Sequence, residues 1–543
     1  MLALAVIVVI GASVLVSGVV GRRFGIAPPV LMLAAGVLWG FVPKLRAVEL
    51  PPDTVLLVFL PALLYWEALN SSLRAIRRSL RGLVLMSTLL VILSAGAVAV
   101  VAHAFGVPWG PAWILGGALA PTDATAVAAL GRVLPRQALD LAQAESSVND
   151  GTALVVYGVA VSVTIGAEHF SSVHVGLLFV RSYVGGVAAG VVVALAGAQV
   201  RKAVADPMLQ NVAILLIPFT AFLLAEALDA SGVLAAVTCG LIMSQLGPRV
   251  GTAAVRLISQ GFWSLGTYVL NGALFVLVGL QSQAAVRGLT SFDLARALAM
   301  VAVVSVVLIA ARFVFQFVTI YAIRALDRRP SQRGRRVSHR FRVVTGLSGF
   351  RGAVSLAAAL AVPVTVHGGA PLPDRDVIIF VTAGVIAALM LQAFALPPVV
   401  RWADLPEDTV IQDERRMANQ TATAEAITAL PEIADALGTP PEVVAMVARE
   451  FEKHARMQQF SGGGLGGSDD DDADEDREAD ADAAERLRQI DSQYREIRLA
   501  LLDNKRATVI RLRHEGRIDD AVLRQIQARL DIEQVRLSRD ELV

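Results

Sequence analysis

A single cysteine, Cys239, stands among 543 residues, so no disulfide can close within the chain and no thiolate cluster can hold a zinc ion or an iron–sulfur group. Histidine is sparse too, with seven residues and no cluster among them, and His103 and His169 sit near loop ends where an interfacial position suffices. Charged residues make up only 17% of the chain, and their formal sum of +1 carries no signature of a nucleic-acid partner. Two further absences concern the first apolar run, MLALAVIVVIGASVLVSGVV. No basic residue precedes it and no small-residue cleavage site follows it, and GRR comes next, so it reads as a retained span with its N-terminus outside rather than a cleaved signal peptide.

What remains is apolar. Hydrophobic residues are 55% of the chain and the mean hydropathy is +0.61, more than the core of a soluble domain needs, which makes the protein a polytopic membrane protein of all-α class in the lipid bilayer. From Met1 to Arg401 apolar stretches alternate with short polar loops, and from Trp402 to Val543 the sequence turns polar. Residues 1–401 are read as the transmembrane domain and 402–543 as a cytoplasmic helical tail. Cutting the first part at its charged or Pro/Gly-rich loops gives about thirteen spans. Lys and Arg fall in alternate loops, at Arg22–Arg23, Arg74–Arg81, Arg132–Arg136, Arg201–Lys202 and RALDRRPSQRGRRVSHRFR, which places those loops and the tail in the cytoplasm of a cell with this chain in its plasma membrane. Within the tail, residues 461–482 are Gly-rich and acidic and read as a flexible linker. Ala483–Leu542 carries Leu and Ile at helical spacing and reads as amphipathic helices, either of a solvated tail or of a regulatory or dimerising segment that binds an unidentified regulator.

Against this background a few ionisable residues stand at membrane depth. Each costs about 2.5 to 3.5 kcal/mol on insertion scales, so each calls for a functional reading. In AESSVNDGTALVVYG, Ser146, Asn149 and Asp150 fall at i, i+3 and i+4 and share one helix face. In GGALAPTDATAV, Pro121 and Thr122 precede Asp123 in a short span that is expected to break there, since Pro supplies no backbone donor. A second Gly-interrupted span, GLSGFRGAVSLAAALAVP, holds Arg351. Unwound helices at membrane depth are tolerated only where protein or a polar cavity surrounds them, and a pair of them, one in each half, points to a midplane site between two inverted repeats. Carboxylate, hydroxyl and amide oxygens are the hard ligands a small alkali cation takes. Asp150, Ser146, Asp123 and Thr122 are therefore read as the cation site, with Asn149 in support. Glu67, in FLPALLYWEALN, reads equally as a member of that cavity or as a residue near the cytoplasmic end of its span. A buried arginine demands a carboxylate, so Glu145 is assigned to Arg351 as a structural ion pair, and Glu226 and Arg312 are set against each other as secondary buried charges.

These segments resemble the sodium/proton exchanger branch of the monovalent cation/proton antiporters. FLPALLYWEAL, APTDATAV, ESSVNDGTALV, LAEALDASGVLAAVTCGL and GFRGAVSLAAALAVP occur in that family's order, and the ESxxND and GxRGAVSLA segments together are highly specific. The resemblance implies that Asp150 carries the transported ion, that Asn149, Ser146, Thr122 and Asp123 complete its site, that Glu145 and Arg351 are the family's Glu–Arg pair, and that Glu67 is the acid of the early LPxxLxxE stretch. It further implies a homodimer, alternating access by a moving core bundle, and electroneutral exchange, since Asn149 stands where electrogenic relatives have a second Asp. Many relatives carry Pro directly after the unwound-helix Asp, whereas this chain has Ala124 there and Pro121 upstream.

The expected activity is thus antiport of Na+ against H+, without a cofactor and without enzymatic chemistry, by competition of proton and cation at Asp150. Li+ or K+ in place of Na+ is left open by residue identity alone. An intramembrane aspartyl protease built on Asp123 and Asp150 lacks the Gly-x-Gly-Asp context of such enzymes and leaves Asn149 without a task. A cation channel would call for acids repeated around a symmetric pore, and these occur once.

Overall fold

The computed structural model describes residues 2–46, 52–71, 73–123, 136–166, 172–289, 293–326, 338–366, 369–404, 410–460 and 481–539. The acidic linker lies outside them but for its last two residues, and so does Ala124. The fold is all-helical: among the described residues the only extended pairing is a bridge between Thr365 and Pro371. In chain order the helices are α1 (Leu2–Phe24), α2 (Pro28–Trp39), α3 (Pro43–Arg46), α4 (Pro52–Asn70), α5 (Leu73–Ala104), α6 (Trp109–Leu119), α7 (Arg136–Thr164), α8 (Ser172–Ala203), α9 (Pro207–Glu226), α10 (Gly232–Leu246), α11 (Ala253–Gly288), α12 (Leu294–Leu326), α13 (His339–Leu347), α14 (Ala353–Leu360), α15 (Arg375–Leu391), α16 (Leu396–Ala403), α17 (Val410–Leu437), α18 (Pro441–Phe460), α19 (Ala481–His514) and α20 (Asp520–Arg539).

Helix boundaries follow local chemistry. Asp206 and Ser231 accept from the backbone N–H groups of Leu209 and Leu234 and so cap α9 and α10, and Ser338 does the same for Phe341 at the start of α13. Six helices among the described residues are long and apolar enough to cross a membrane, or seven if α15 and α16, bent by 43°, form one span. The expected number was about thirteen. The shortfall lies in segments that are short, broken or charged: α2, the apolar part of α4, and α10 are shorter apolar helices, α6 and α13 end at irregular backbone, α14 starts from it, and α7 carries Glu145 and Asp150.

The chain divides into two units, residues 1–250 with 259–407, and residues 251–258 with 408–543. In the first, α5, α6 and α7 pack on one another, α14 touches α4, α6, α7 and α15, and α12 packs on α5 and α15. Lipid tails are as apolar as leucine, so close backbone approach rather than water exclusion holds such helices together. Gly36 of α2 and Gly279 of α11 illustrate it: a Cβ on the first would lie 2.1 Å from the carbonyl oxygen of Val276, and one on the second 2.3 Å from that of Leu33.

The second unit has its own apolar cores. Leu502, Val509, Leu512, Ile518, Val522 and Ile526 pack with Ala418 and Ala422, while Leu430, Val443, Val447, Phe451, Ile497 and Leu501 form another cluster. Within the same unit Asp531, whose side chain is 3% exposed, accepts from Arg256 at 2.5 Å and from Arg506 at 2.8 Å. The helices of the tail thus bury apolar residues against one another, α19 and α20 against α17 and α19 against α18.

Candidate ion-binding site

In the first unit the end of one helix meets the interruption of another. α6 stops at Leu119 and leaves Pro121, Thr122 and Asp123 without helical structure; α13 stops at Leu347 and α14 resumes at Ala353. The contact is held by backbone as well as side chains. The N–H of Asp123 donates to the carbonyl of Phe350 at 2.9 Å, and the N–H of Ala353, in the first turn of α14, donates to Asp123 Oδ2 at 3.3 Å. In the opposite sense, Arg351 donates through Nε to the carbonyl of Leu119, the last residue of α6, at 2.9 Å, and through Nη1 to Gly349 O at 2.7 Å.

Each break thus receives the charge its helix ends require. An N-terminal end carries partial positive charge and a C-terminal end partial negative charge, and both ends are buried, Leu119 at 0% and Ala353 at 5% exposure, where screening is weak. Asp123 answers the start of α14, and Arg351 the end of α6. The fit is tight, since a Cβ on Gly352 would fall 1.5 Å from Asp123 Oδ2. Only glycine lets the strand pass the carboxylate.

Across the break stands α7. Ser146, Asn149 and Asp150 are buried, at 1%, 0% and 1% exposure, and Thr122 at 7%. Ser146 Oγ donates to Glu67 Oε1 at 2.8 Å, and Asn149 Nδ2 donates to Thr122 Oγ1 at 3.1 Å and reaches Glu145 Oε1 at 3.5 Å. The structure therefore brings Ser146, Asn149, Thr122 and Glu67 into one cluster, with Asp150 a single turn along the same face. Neither carboxylate oxygen of Asp150 meets a donor at hydrogen-bonding geometry, nor does Asn149 Oδ1. Glu67 and Asp123 both line a cavity of about 320 Å³.

Two expected pairs differ. Glu145 is bound by Arg312, not Arg351, with Nη1–Oε1 at 2.8 Å and Nη2–Oε2 at 3.3 Å. Arg351 sits in the extended chain of the second break, where freed carbonyls take its donors, whereas Arg312 projects from the uninterrupted α12 and presents its fork to the carboxylate. Arg312 consequently has no part with Glu226. The latter is exposed at the end of α9 and accepts from the N–H of Gly232 at 3.4 Å. Sequence reasoning also passed over Ser264, Thr267, Tyr268 and Asn271 of α11, which line the cavity. Their i, i+3, i+4, i+7 spacing was the available signal.

Comparison with known proteins fixes the family. The sodium/hydrogen exchanger transmembrane family matches residues 10–402. The chain belongs to the sodium/hydrogen exchanger family. It is a multi-pass membrane protein of the cation/proton antiport class. A protein of Mycobacterium tuberculosis described as an uncharacterized Na(+)/H(+) exchanger is 41% identical over 98% of this chain and 96% of its own length. The Na(+)/H(+) antiporter ApNhaP of Aphanothece halophytica is 29% identical over 68% of each chain, and the sodium, potassium, lithium and rubidium/H(+) antiporter of Bacillus subtilis is 27% identical over 73% of this exchanger and 61% of its own length. Among solved structures, the sodium proton antiporter MjNhaP1 of Methanocaldococcus jannaschii superposes with a TM-score of 0.56 at 16% identity, covering 75% of this exchanger and all of that chain, a likeness of fold.

Proposed function

We propose that this exchanger moves Na+ against H+ across the plasma membrane, one for one and without net charge, by alternating access, and that Asp150 carries each ion in turn. The observation that supports this most is the state of Asp150: a carboxylate at 1% exposure with no cation paired to it among the described residues, neither oxygen in a hydrogen bond of full geometry, and the Ser146 hydroxyl as its neighbouring donor. A buried anion left so is costly unless a cation or a proton neutralises it. Because one charge serves both, occupancy by one excludes the other, and that exclusion couples the two gradients.

The neighbouring oxygens suit a cation. Ser146 gives its hydrogen to Glu67 and Thr122 accepts one from Asn149, so both hydroxyls can turn lone pairs toward a bound ion beside Asp150. Hard oxygen donors of this kind take alkali cations. Asp123, engaged by the start of α14, shapes the break and adds negative potential to the site. Nothing in this sequence of events makes or breaks a covalent bond, and no resident cofactor enters it. A homodimer with the tail in the cytoplasm belongs to the same reading.

K+ as the cargo is the second reading, favoured by the wider cation range in the name of the Bacillus subtilis relative. Proteoliposomes with a trapped pH indicator separate the two when Na+, Li+ and K+ are added in turn. Proton movement is expected with Na+ and Li+, at a rate unaltered by an imposed membrane potential. Asp150→Asn cannot change protonation state and should reconstitute as a folded but silent protein. Sustained Na+-driven proton movement by that variant would remove Asp150 from the mechanism.

A further inference from the structure

The cavity that reaches Glu67 and Asp123 has a second wall, and its chemistry is different. Along WSLGTYVLNGAL of α11 every residue is apolar or glycine except Ser264, Thr267, Tyr268 and Asn271. These four recur at i, i+3, i+4 and i+7, so they fall on one face of the helix, and all four line the cavity of about 320 Å³ together with the two carboxylates. The helix from Ala253 to Arg287 is otherwise apolar enough to span a membrane. Polar groups confined to one face of such a helix, and that face turned to a cavity, are placed for a hydrated ion rather than for lipid.

We propose that this face of α11 is a cation-selecting wall: its hydroxyl and amide oxygens replace part of the hydration shell of the incoming Na+ before the ion reaches the carboxylates. The inference rests on the antiport reading above and deepens it. Neutral oxygens coordinate an alkali cation but hold no proton near neutral pH, so a wall of them acts on one of the two competing ions only. Thr267 shows the arrangement most clearly. Its hydroxyl is 2.6 Å from the carbonyl of Trp263, to which it donates, and this leaves its lone pairs for the cavity. Asn271, partly buried one turn further along, offers a carbonyl oxygen at the end of a short side chain.

The test is Na+-driven proton flux in proteoliposomes containing the full chain with Thr267→Val or Asn271→Leu, beside the conservative Thr267→Ser and Asn271→Gln. Removing an oxygen should lower the apparent Na+ affinity several-fold and shift the ratio of Na+ to K+ affinity. The maximal rate should fall much less, and the pH dependence at saturating Na+ should stay in place. The conservative variants should recover most of the affinity. A merely structural role would lower thermal stability and maximal rate and leave the affinity ratio fixed. Folded variants with Na+ affinity and cation ratio equal to the unsubstituted protein overturn the inference. Should Thr267→Val fail to fold, the Asn271 pair decides by the same readouts. Absence of Na+-driven flux in the unsubstituted protein would instead overturn the antiport reading, and the wall with it.

Discussion

At the residue scale the site depends on which cation each carboxylate meets. Glu145 meets Arg312 through two N–H groups, with side chains 17% and 5% exposed. Removing one partner from a buried pair typically costs about 3 to 5 kcal/mol, so Arg312→Ala should lower the melting temperature in detergent and the yield of protein, with transport lost in proportion. Glu226 is exposed at the end of its helix, and Glu226→Ala should shift stability by no more than about 0.5 kcal/mol. Equal effects of the two substitutions would restore the pair the sequence proposed. The sequence singled out both arginines as buried, and both are, at 4% and 3% exposure. It could not assign their partners, because a guanidinium serves freed carbonyls as readily as a carboxylate and residue identity does not say which lies within reach. By contrast, Ser146, Asn149 and Asp150 were legible as one face, since helical periodicity alone puts them there.

Pro121 in one segment and Gly346, Gly349 and Gly352 in the other announced two breaks, and α6 and α13 end where those residues begin or cluster. Their mutual contact was not in the sequence: nothing in either segment says that Phe350 O would take the N–H of Asp123, or that Arg351 would reach the end of α6. That depends on the packing of helices far apart in the chain. Gly352 tests the contact. A methyl group there would overlap Asp123 Oδ2, so Gly352→Ala should force the strands apart, abolish exchange and lower the melting temperature, whereas Gly247→Ala, with open space around its Cβ, should leave both near their original values. Full activity of Gly352→Ala would contradict the contact. The count of spans was harder to read, since the segments that fall short of a full apolar span are short helices such as α2 and α10, helices that meet a break, or helices that carry the charges of the site.

At the scale of the whole molecule, the second unit is held by apolar cores of its own. Its Leu and Ile spacing was visible in Ala483–Leu542; the partners that bury those residues, among them Ala418 and Ala422 of α17, lie before the acidic linker and gave no local sign of it. Leu512 is fully buried there, and Leu512→Ala should destabilise this unit by about 2 to 5 kcal/mol, seen as faster amide exchange along α19 and α20 with α6 and α14 unchanged. Acid should loosen it as well. Donors from Arg511 and Thr508 hold the Glu425 carboxyl below its usual range, so their contribution is present above the unfolded carboxylate value and is lost as pH falls through the folded one. The Glu425 side chain is 41% exposed, and the effect is correspondingly modest. Exchange itself is a property of the complete chain, and its central claim is that proton and cation take turns at one buried carboxylate. The most direct test is the apparent Na+ affinity of the reconstituted protein measured across a range of pH. Competition at Asp150 predicts that the affinity falls steadily as the pH drops while saturating Na+ restores the maximal rate; an affinity that stays flat with pH, or a maximal rate that Na+ cannot restore, would contradict it.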